Sequence, residues 1–225
     1  MCGRFNQRAS PKQLAAAFDV PEPPELPLRY NIAPTQPVAA VRIRPGDNNR
    51  ELVNLRWGLI PRWADDPKIG YSLINARSET VATKPSFRSS FKSRRCLIPA
   101  TGFYEWQKRE GSKQKQPYHI GLKDDQPFAF AGLWDEWHKS DGEVIESFTI
   151  LTTDANELMR PIHNRMPVIL PRADHGAWLD PGLQDRETLT QMLRPFPPEE
   201  MSAYPISTFV NAPRNEGPQC VEKVA

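Results

Sequence analysis

The sequence lacks an apolar run near the roughly 20 residues that a membrane-spanning helix needs, and its first residues, MCGRFNQRAS, contain no apolar signal-peptide core. Cysteine is scarce as well: Cys2, Cys96 and Cys220 are far apart, with no CxxC pair. Three scattered cysteines argue against a disulfide framework and against a structural zinc site. These absences predict a soluble intracellular protein, which we expect in the cytoplasm and at the nucleoid when it is bound to DNA.

Glycine is also sparse, with 12 residues, whereas proline is abundant, with 24. The prolines are spread along the chain, which indicates many short elements joined by fixed turns. Hydrophobic residues make up 39% and charged residues 25% of the chain, so a disordered protein is excluded. At 225 residues, against about 150 per domain, the chain is expected to form one large domain.

The pattern of apolar residues and turn signals predicts a mixed α+β domain. Ser10 and Pro11 start a helix that runs to Asp19, and a proline-rich connector follows over residues 20–34. Strands are expected at 38–43, 52–59, 96–100, 103–108, 118–122, 128–134, 147–153 and 166–170.

Three more helices are expected in the second half of the chain. Asp154 and Glu157 form a capping signature for a helix towards His163, and two further helices are expected at 173–179 and 185–193. No repeat or domain boundary is visible. The predicted fold is therefore α+β, a single domain with a largely antiparallel β-sheet or barrel-like core and flanking helices.

Charge is distributed unevenly along the chain. Residues 174–225 carry four basic and eight acidic side chains, and the whole chain is +2, so residues 1–173 carry +6. Residues 77–95 hold six basic residues and one acid. Such a run is either a solvated face or a stripe that binds phosphates, as nucleic-acid backbones require.

The second residue offers unusual chemistry if Met1 is removed, as is usual before a small residue. A chain that begins at Cys2 has an α-amine beside a thiol. The amine has a pKa of roughly 7.7, against about 10.4 for lysine, so it is far richer in the nucleophilic form near neutral pH. It can form a Schiff base with an aldehyde, which the thiol closes to a thiazolidine. Alternatively, the thiolate is the nucleophile, or the thiol only packs.

Three side chains elsewhere are suited to assist such a nucleophile. Asn75 follows a short apolar run, and Glu105 lies in an aromatic strand, where its environment favours either a rim position or a pKa suited to proton transfer. His163 follows the predicted helix and is either structural or an acid–base group. The histidines at 119, 138 and 175 have no motif around them.

Together, seven motifs make the chain resemble the SRAP family, the SOS response-associated peptidases or abasic-site processing proteins. The resemblance extends from residue 2 to 217, which we take as the domain, with 218–225 as a C-terminal tail. The motifs are MCGRF, RYNIAPTQ, WGLIPRW, INARSET, FYEW, HNRMPV and the late VNxxxNxG.

The resemblance implies a covalent reaction with abasic sites in single-stranded DNA. Cys2 matches the family's N-terminal cysteine, whose amine forms a Schiff base with the ring-opened sugar and whose thiol closes a thiazolidine. Asn75 matches the amide that positions the N-terminus, and Glu105 the acid that assists proton transfer. His163 matches the histidine that acts on the sugar's ring oxygen and in reversal of the link.

The resemblance also implies a set of DNA-binding residues. Trp63 matches an aromatic that stacks beside the lesion, and Thr152 is a candidate for a backbone contact. Pro85 stands where some members carry a basic residue, so Lys84 is expected to supply that charge. The predicted DNA-binding residues are Arg4, Asn6, Trp63, Arg77, Lys84, Thr152 and Arg165.

The expected function is therefore an abasic-site crosslinking protein that shields the lesion, with weak lyase activity and removal of its own Met1. Two alternatives stay open: an amide-hydrolysing peptidase with Cys2 as thiol nucleophile, and a non-covalent single-strand binder driven by charge. No metal or cofactor is expected. The expected partner is single-stranded DNA with abasic sites, bound by a monomer that needs no membrane or protein partner.

Overall fold

A computed structural model describes residues 2–23, 25–46, 49–139 and 141–224. Met1, whose removal the sequence predicts, lies outside the described residues. The described residues form thirteen strands, in chain order β1 (Phe5–Gln7), β2 (Arg29–Ile32), β3 (Pro37–Ile43), β4 (Arg50–Trp57), β5 (Asn75–Arg77), β6 (Arg95–Ala100), β7 (Gly102–Gln107), β8 (Gln116–Leu122), β9 (Phe128–His138), β10 (Val144–Asp154), β11 (Arg165–Pro167), β12 (Ile169–Leu170) and β13 (Met201–Pro205).

Five strands close into a barrel. β3 pairs antiparallel with β4 and β6, β6 pairs with β9, and β9 pairs with β10. β10 then pairs in parallel with β4, residues 147–148 against 56–57, which closes the ring. A closed ring leaves no unpaired edge among these strands. β5 and β11 pair with the far end of β10, and β12 pairs with β9.

A second sheet, entirely antiparallel, packs against the barrel in the order β13-β8-β7-β1-β2. Phe5 in β1 joins the two, because its ring meets Trp57 and Phe130 of the barrel at 5.1 and 5.6 Å between centroids. The expected α+β domain with a largely antiparallel, barrel-like core is confirmed. Sheet alternation places Cys96 and Ile98 in the core shared with this sheet, and Leu97 on the opposite face.

Four α-helices cover that opposite face or lie beside it: α1 (Pro11–Phe18), α2 (Arg88–Ser93), α3 (His175–Leu179) and α4 (Arg186–Gln191). The first begins as predicted. The Ser10 hydroxyl accepts from the Gln13 amide at 3.3 Å and the Gln13 side chain accepts from the Ser10 amide at 2.9 Å, a capping box. Leu14 and Phe18 are its buried residues. No helix among the described residues is long and apolar enough to cross a membrane.

The predicted helix after Asp154 is wrong. Asp154 is the last residue of β10, and its carboxylate binds Arg165 instead of capping a helix. Residues 157–162 form turns, and Asn156 accepts a hydrogen bond from the Met159 amide at 3.0 Å. The capping signature fails because the Asp154 side chain, which would have capped the helix, forms a tertiary ion pair with Arg165.

Two other segments differ from the prediction in detail. The connector of residues 20–34 contains β2, whose Ile32 pairs with Phe5 of β1. The single strand expected at 166–170 divides into β11 and β12 at Val168, whose amide donates to Leu151 and whose carbonyl accepts from Ala131. Both differences arise from pairing with distant strands, which local patterns do not encode.

Candidate functional site

Cys2 lies in the core, three residues before β1, and is fully buried. Asn75, the first residue of β5, donates from its Nδ2 to the Cys2 carbonyl oxygen at 2.8 Å. Glu105 in β7 is 3% exposed and close enough for its charge to act on the Cys2 thiol. Three of the four predicted catalytic residues therefore meet at the chain's N-terminus.

The Cys2 thiol is held in its neutral form. Burial raises the pKa of the thiol far above its ordinary value, and the nearby Glu105 raises it further, whereas a backbone hydrogen bond involving Arg4 lowers it. A thiol in such a setting is a poor thiolate nucleophile. The arrangement thus favours chemistry that begins at a group other than the sulfur.

His163 is half-buried, on the turn that leads into β11. Its Nδ1 accepts a hydrogen bond from the backbone amide of Arg165 at 3.0 Å. This bond assigns the proton of the neutral imidazole to Nε2, so Nε2 is the atom that can donate a proton.

β10 lies between β5, which begins with Asn75, and β11, which follows His163. β10 pairs with β5 on one side, Thr152 opposite Arg77, and with β11 on the other, Thr152 opposite Pro167. From β7, Gln107 also donates to the Pro161 carbonyl at 2.9 Å, two residues before His163. The segments that carry Asn75, Glu105 and His163 therefore border one site.

Arg165 is the most heavily paired of the predicted DNA-binding residues. Its two terminal nitrogens bind the Glu79 carboxylate, Asp154 Oδ1 at 2.8 Å and the Thr152 carbonyl at 2.8 Å. Thr152 itself is buried, and its hydroxyl lies 3.4 Å from the Ala76 carbonyl.

Arg4 and Asn6 are committed to internal bonds. Arg4 donates to Asn31 Oδ1 at 2.8 Å and to the Val210 carbonyl at 3.0 Å. Asn6 is fully buried, donates to the Tyr104 hydroxyl at 3.1 Å and accepts from the Thr101 hydroxyl at 2.8 Å. A DNA contact by either side chain would compete with these bonds.

Trp63, Arg77 and Lys84, in contrast, are exposed. Trp63 is 55% exposed, a large fraction for a tryptophan, and lies on the surface beside the Pro61 turn. Exposed aromatics and cations are the groups that stack on bases and bind phosphates.

The basic segment 77–95 divides into a solvent-exposed and an internal part. Arg94 pairs with the buried Asp135 at 3.2 Å. Arg95 is 2% exposed and donates to five backbone carbonyls. Those acceptors are Phe91, Lys92, Trp178, Asp180 and Leu183. Two of the six cations counted in the sequence therefore stabilise the fold.

Sequence reasoning missed the role of Asn31. Its amide nitrogen donates to the carbonyls of Val210, Ala212 and Asn215 at 2.8–3.2 Å and so holds the late VNxxxNxG segment against β2. The signal was present, because Asn31 lies in the RYNIAPTQ motif, but only the fold reveals which residues it joins. Cys220, in the expected tail 218–225, is buried next to this segment.

No group of three or more His, Cys, Asp or Glu side chains among the described residues is placed to hold a metal ion.

Comparisons with known proteins show the family to which the chain belongs. A family described as SOS response associated peptidase (SRAP) matches residues 1–213. The chain is similar to the abasic site processing protein YoqW of Bacillus subtilis (strain 168), 46% identical over 226 residues and 99% of both chains. It is 35% identical to the abasic site processing protein HMCES of Xenopus tropicalis over 79% of this chain and 58% of the other. A crystal structure of a Bacteroides thetaiotaomicron protein matches over the whole of both chains, with a TM-score of 0.88 and 30% identity.

Proposed function

Because the chain belongs to the SRAP family, we propose that it processes abasic sites in single-stranded DNA by a covalent link through Cys2. The observation that carries the proposal is the Asn75 hydrogen bond to the Cys2 carbonyl, 2.8 Å long, beside the buried Glu105. A fixed N-terminal residue next to a proton-transfer group is what an amine nucleophile needs.

The reaction proceeds in two bond-forming steps once Met1 is removed. The Cys2 amine attacks the C1′ aldehyde of the ring-opened deoxyribose, and loss of one water leaves an imine. The thiol sulfur then adds to C1′, and its proton passes to the nitrogen, which gives a thiazolidine. Glu105 takes and returns protons at the amine. The amine reacts first because its pKa of roughly 7.7 leaves a substantial uncharged fraction near neutral pH.

His163 acts on the sugar rather than on the cysteine. The proton assigned to Nε2 by the Arg165 amide can pass to the ring oxygen as the sugar opens to its aldehyde. The same atom can take the proton back when the link reverses.

Ring closure also governs whether the DNA strand is cut. An imine next to the C2′ protons tends towards β-elimination, and its capture as a thiazolidine removes that route. We therefore assign the protein mainly a shielding role, with weak lyase activity. Removal of Met1 by the protein itself belongs to the same proposal.

The test mixes protein confirmed to begin at Cys2 with single-stranded DNA that carries one abasic site, followed by a denaturing gel and intact mass spectrometry. The expected product survives denaturation and has the mass of protein plus DNA minus one water. A tetrahydrofuran analogue of the site, which has no aldehyde, is the matched substrate control. Absence of the product with the aldehyde substrate, or its formation with the analogue, contradicts the proposal.

The main alternative is a peptidase with Cys2 as thiol nucleophile. Cys2-dependent turnover of an amide without DNA would favour the peptidase. A purely charge-driven binder would instead lose binding at high salt and be indifferent to the abasic site.

A further inference from the structure

The loop of residues 108–115, which joins β7 to β8, is exposed along its whole length. We refer to it as the hairpin loop. It carries four cations against the single acid Glu110, a net charge of +3, and none of the four forms an ion pair with another described residue. The four cations are Lys108, Arg109, Lys113 and Lys115. Unpaired cations on an exposed loop keep their full charge for an outside partner.

The strand that leads into this hairpin loop, β7, borders the candidate site and is anchored through two of its side chains. Gln107 binds the Pro161 carbonyl at 2.9 Å, and Trp106 donates from Nε1 to Asn211 at 2.7 Å. Glu105 lies in the same strand, so a rise of about 3.3 Å per residue places Lys108 about 10 Å from it along the strand. A polymer bound at Glu105 would pass this loop within a few monomers.

We propose that the hairpin loop binds the phosphate backbone of the DNA strand on one side of the lesion. This proposal rests on the proposed function, because the strand must already lie in the site. Each neutralised phosphate contributes about 0.7 to the salt slope of single-strand binding, so four contacts would contribute roughly 3.

The test compares two variants with equal loss of charge, both in a Cys2→Ala background that prevents crosslinking. The loop variant changes the four hairpin-loop cations to Gln. The control changes four exposed cations elsewhere, namely Lys12, Arg186, Arg194 and Lys223. Fluorescence anisotropy with an undamaged 20-nucleotide strand measures affinity from about 50 to 300 mM salt.

We expect the loop variant to bind at least 10-fold more weakly at about 100 mM salt, with a salt slope smaller by 2–3. The control should stay within about 2-fold. Equal behaviour of the two variants would overturn the proposal, as would loop-dependent binding of an acidic peptide in preference to DNA. A chain with Cys2 intact that binds DNA but forms no crosslink would instead count against the proposed function alone.

A separate observation concerns the donors of Arg165. A guanidinium has five N–H groups, four of them on the terminal nitrogens. Those four match four acceptors: both Glu79 oxygens, Asp154 and the Thr152 carbonyl. The remaining Nε is buried without a hydrogen-bond partner. A phosphate can therefore bind the terminal nitrogens of Arg165 only if it displaces one of these acceptors.

We infer that Glu79 occupies Arg165 as an internal substitute for phosphate, which a bound DNA strand has to displace. Glu79 and Asp154 are 47% and 81% exposed, so both carboxylates can be released to water, whereas the Thr152 acceptor is backbone. The two carboxylates also cancel the charge of Arg165 and of Arg77, which lies close enough to lower the pKa of Glu79, so the cluster has no net positive charge to attract a phosphate until a carboxylate leaves. This inference requires only that the site binds single strands.

Glu79→Gln tests the inference, since it keeps the side chain's size and removes its charge. We expect affinity for undamaged single strands to rise about 3–10-fold at 100 mM salt, and the gain to disappear in the Glu79→Gln/Arg165→Gln double variant. Weaker binding by Glu79→Gln, or a gain that persists without Arg165, would contradict it. Asp154→Asn gives a second test if Glu79→Gln fails to fold, with the same expected direction.

Discussion

Cys2 and Cys96 are two buried thiols whose pKa is raised by burial and whose neighbouring side chains differ. Both are fully buried, both belong to the same hydrophobic core, and burial raises the pKa of each thiol. Cys96 lies in β6 opposite Gly132, and its carbonyl accepts from Trp178 at 3.0 Å. Cys2 instead lies beside Asn75 and Glu105. The raised thiol pKa is therefore common to Cys2 and Cys96 and does not distinguish them. Their positions in the chain do, because only Cys2 gains an α-amine when Met1 is lost.

The largest effect expected from this contrast is on crosslinking itself. Cys2→Ala removes the sulfur and should reduce the denaturation-resistant product more than 100-fold, because an imine alone is reversible. Cys96→Ala should leave the yield within about 2-fold and cost roughly 1–2 kcal/mol of unfolding free energy. A gel assay and urea unfolding measure the two. Stable product from the Cys2→Ala variant, or loss of the product in the Cys96→Ala variant, would contradict the distinction between the two cysteines.

The pH dependence of crosslinking should report the amine and not the thiol. An amine with a pKa of roughly 7.7 becomes nucleophilic as it loses its proton, so the rate should rise about 30-fold from pH 6 to pH 8 and then level off. Because the amine attacks first, the rate should show no further rise towards pH 9.5. Single-turnover rates across this range give the profile. A rise that continues through pH 9.5 would point to a thiolate.

Asn75 sharpens the contrast because its amide binds the Cys2 carbonyl, whereas the Cys96 carbonyl accepts from the indole of Trp178. Asn75→Asp removes the Nδ2 donor from the Cys2 carbonyl and should slow crosslinking roughly 10-fold or more, since a hydrogen bond contributes about 0.5–1.5 kcal/mol net and a lost acceptor partner adds to that. Non-covalent binding of undamaged DNA is the control. An unchanged rate would mean that this contact does not position the nucleophile.

Gly132 tests the packing role of Cys96 and should have the smallest effect on the reaction. A Cβ at this position would lie 2.8 Å from the Cys96 sulfur and 3.1 Å from Ile98 Cγ1. Gly132→Ala should therefore cost about 1–3 kcal/mol of unfolding free energy through overpacking, and Cys96→Ala in the same chain should recover part of it. The crosslinking rate of the folded variant should not change. Additive losses in the double variant would count against direct contact.

The prediction from sequence succeeded where the controlling interactions are local. The helix start at Ser10 and Pro11 and the strand expected at 96–100 are both read within a few residues, and both are confirmed. It failed at Asp154, where a capping signature was overridden by an ion pair with Arg165. The segment around β2 was missed because its pairing partner, β1, lies more than twenty residues away.

The candidate site shows the same division. The sequence motifs supply the residue types at 2, 75, 105 and 163, and the chemistry predicted for the site follows from those residue types. The sequence does not show which arginines are internal and which are exposed. Arg95 binds backbone carbonyls inside the fold, whereas Arg77 is exposed. A count of cations cannot make this distinction, because the acceptors that bind Arg95 come largely from residues 178–183.

The sequence by itself determined the strand alternation, the first helix, the family motifs and the presence of an N-terminal cysteine, since each depends on residue type and near neighbours. Only the tertiary structure decided that Asn75 binds the Cys2 carbonyl, that Arg165 is paired with Glu79 and that the Asn6 side chain is buried. The physical reason is that hydrogen-bond donors and acceptors find their partners across the closed barrel, in groups far apart in the chain. The donors that remain for DNA are those that the fold has not already paired.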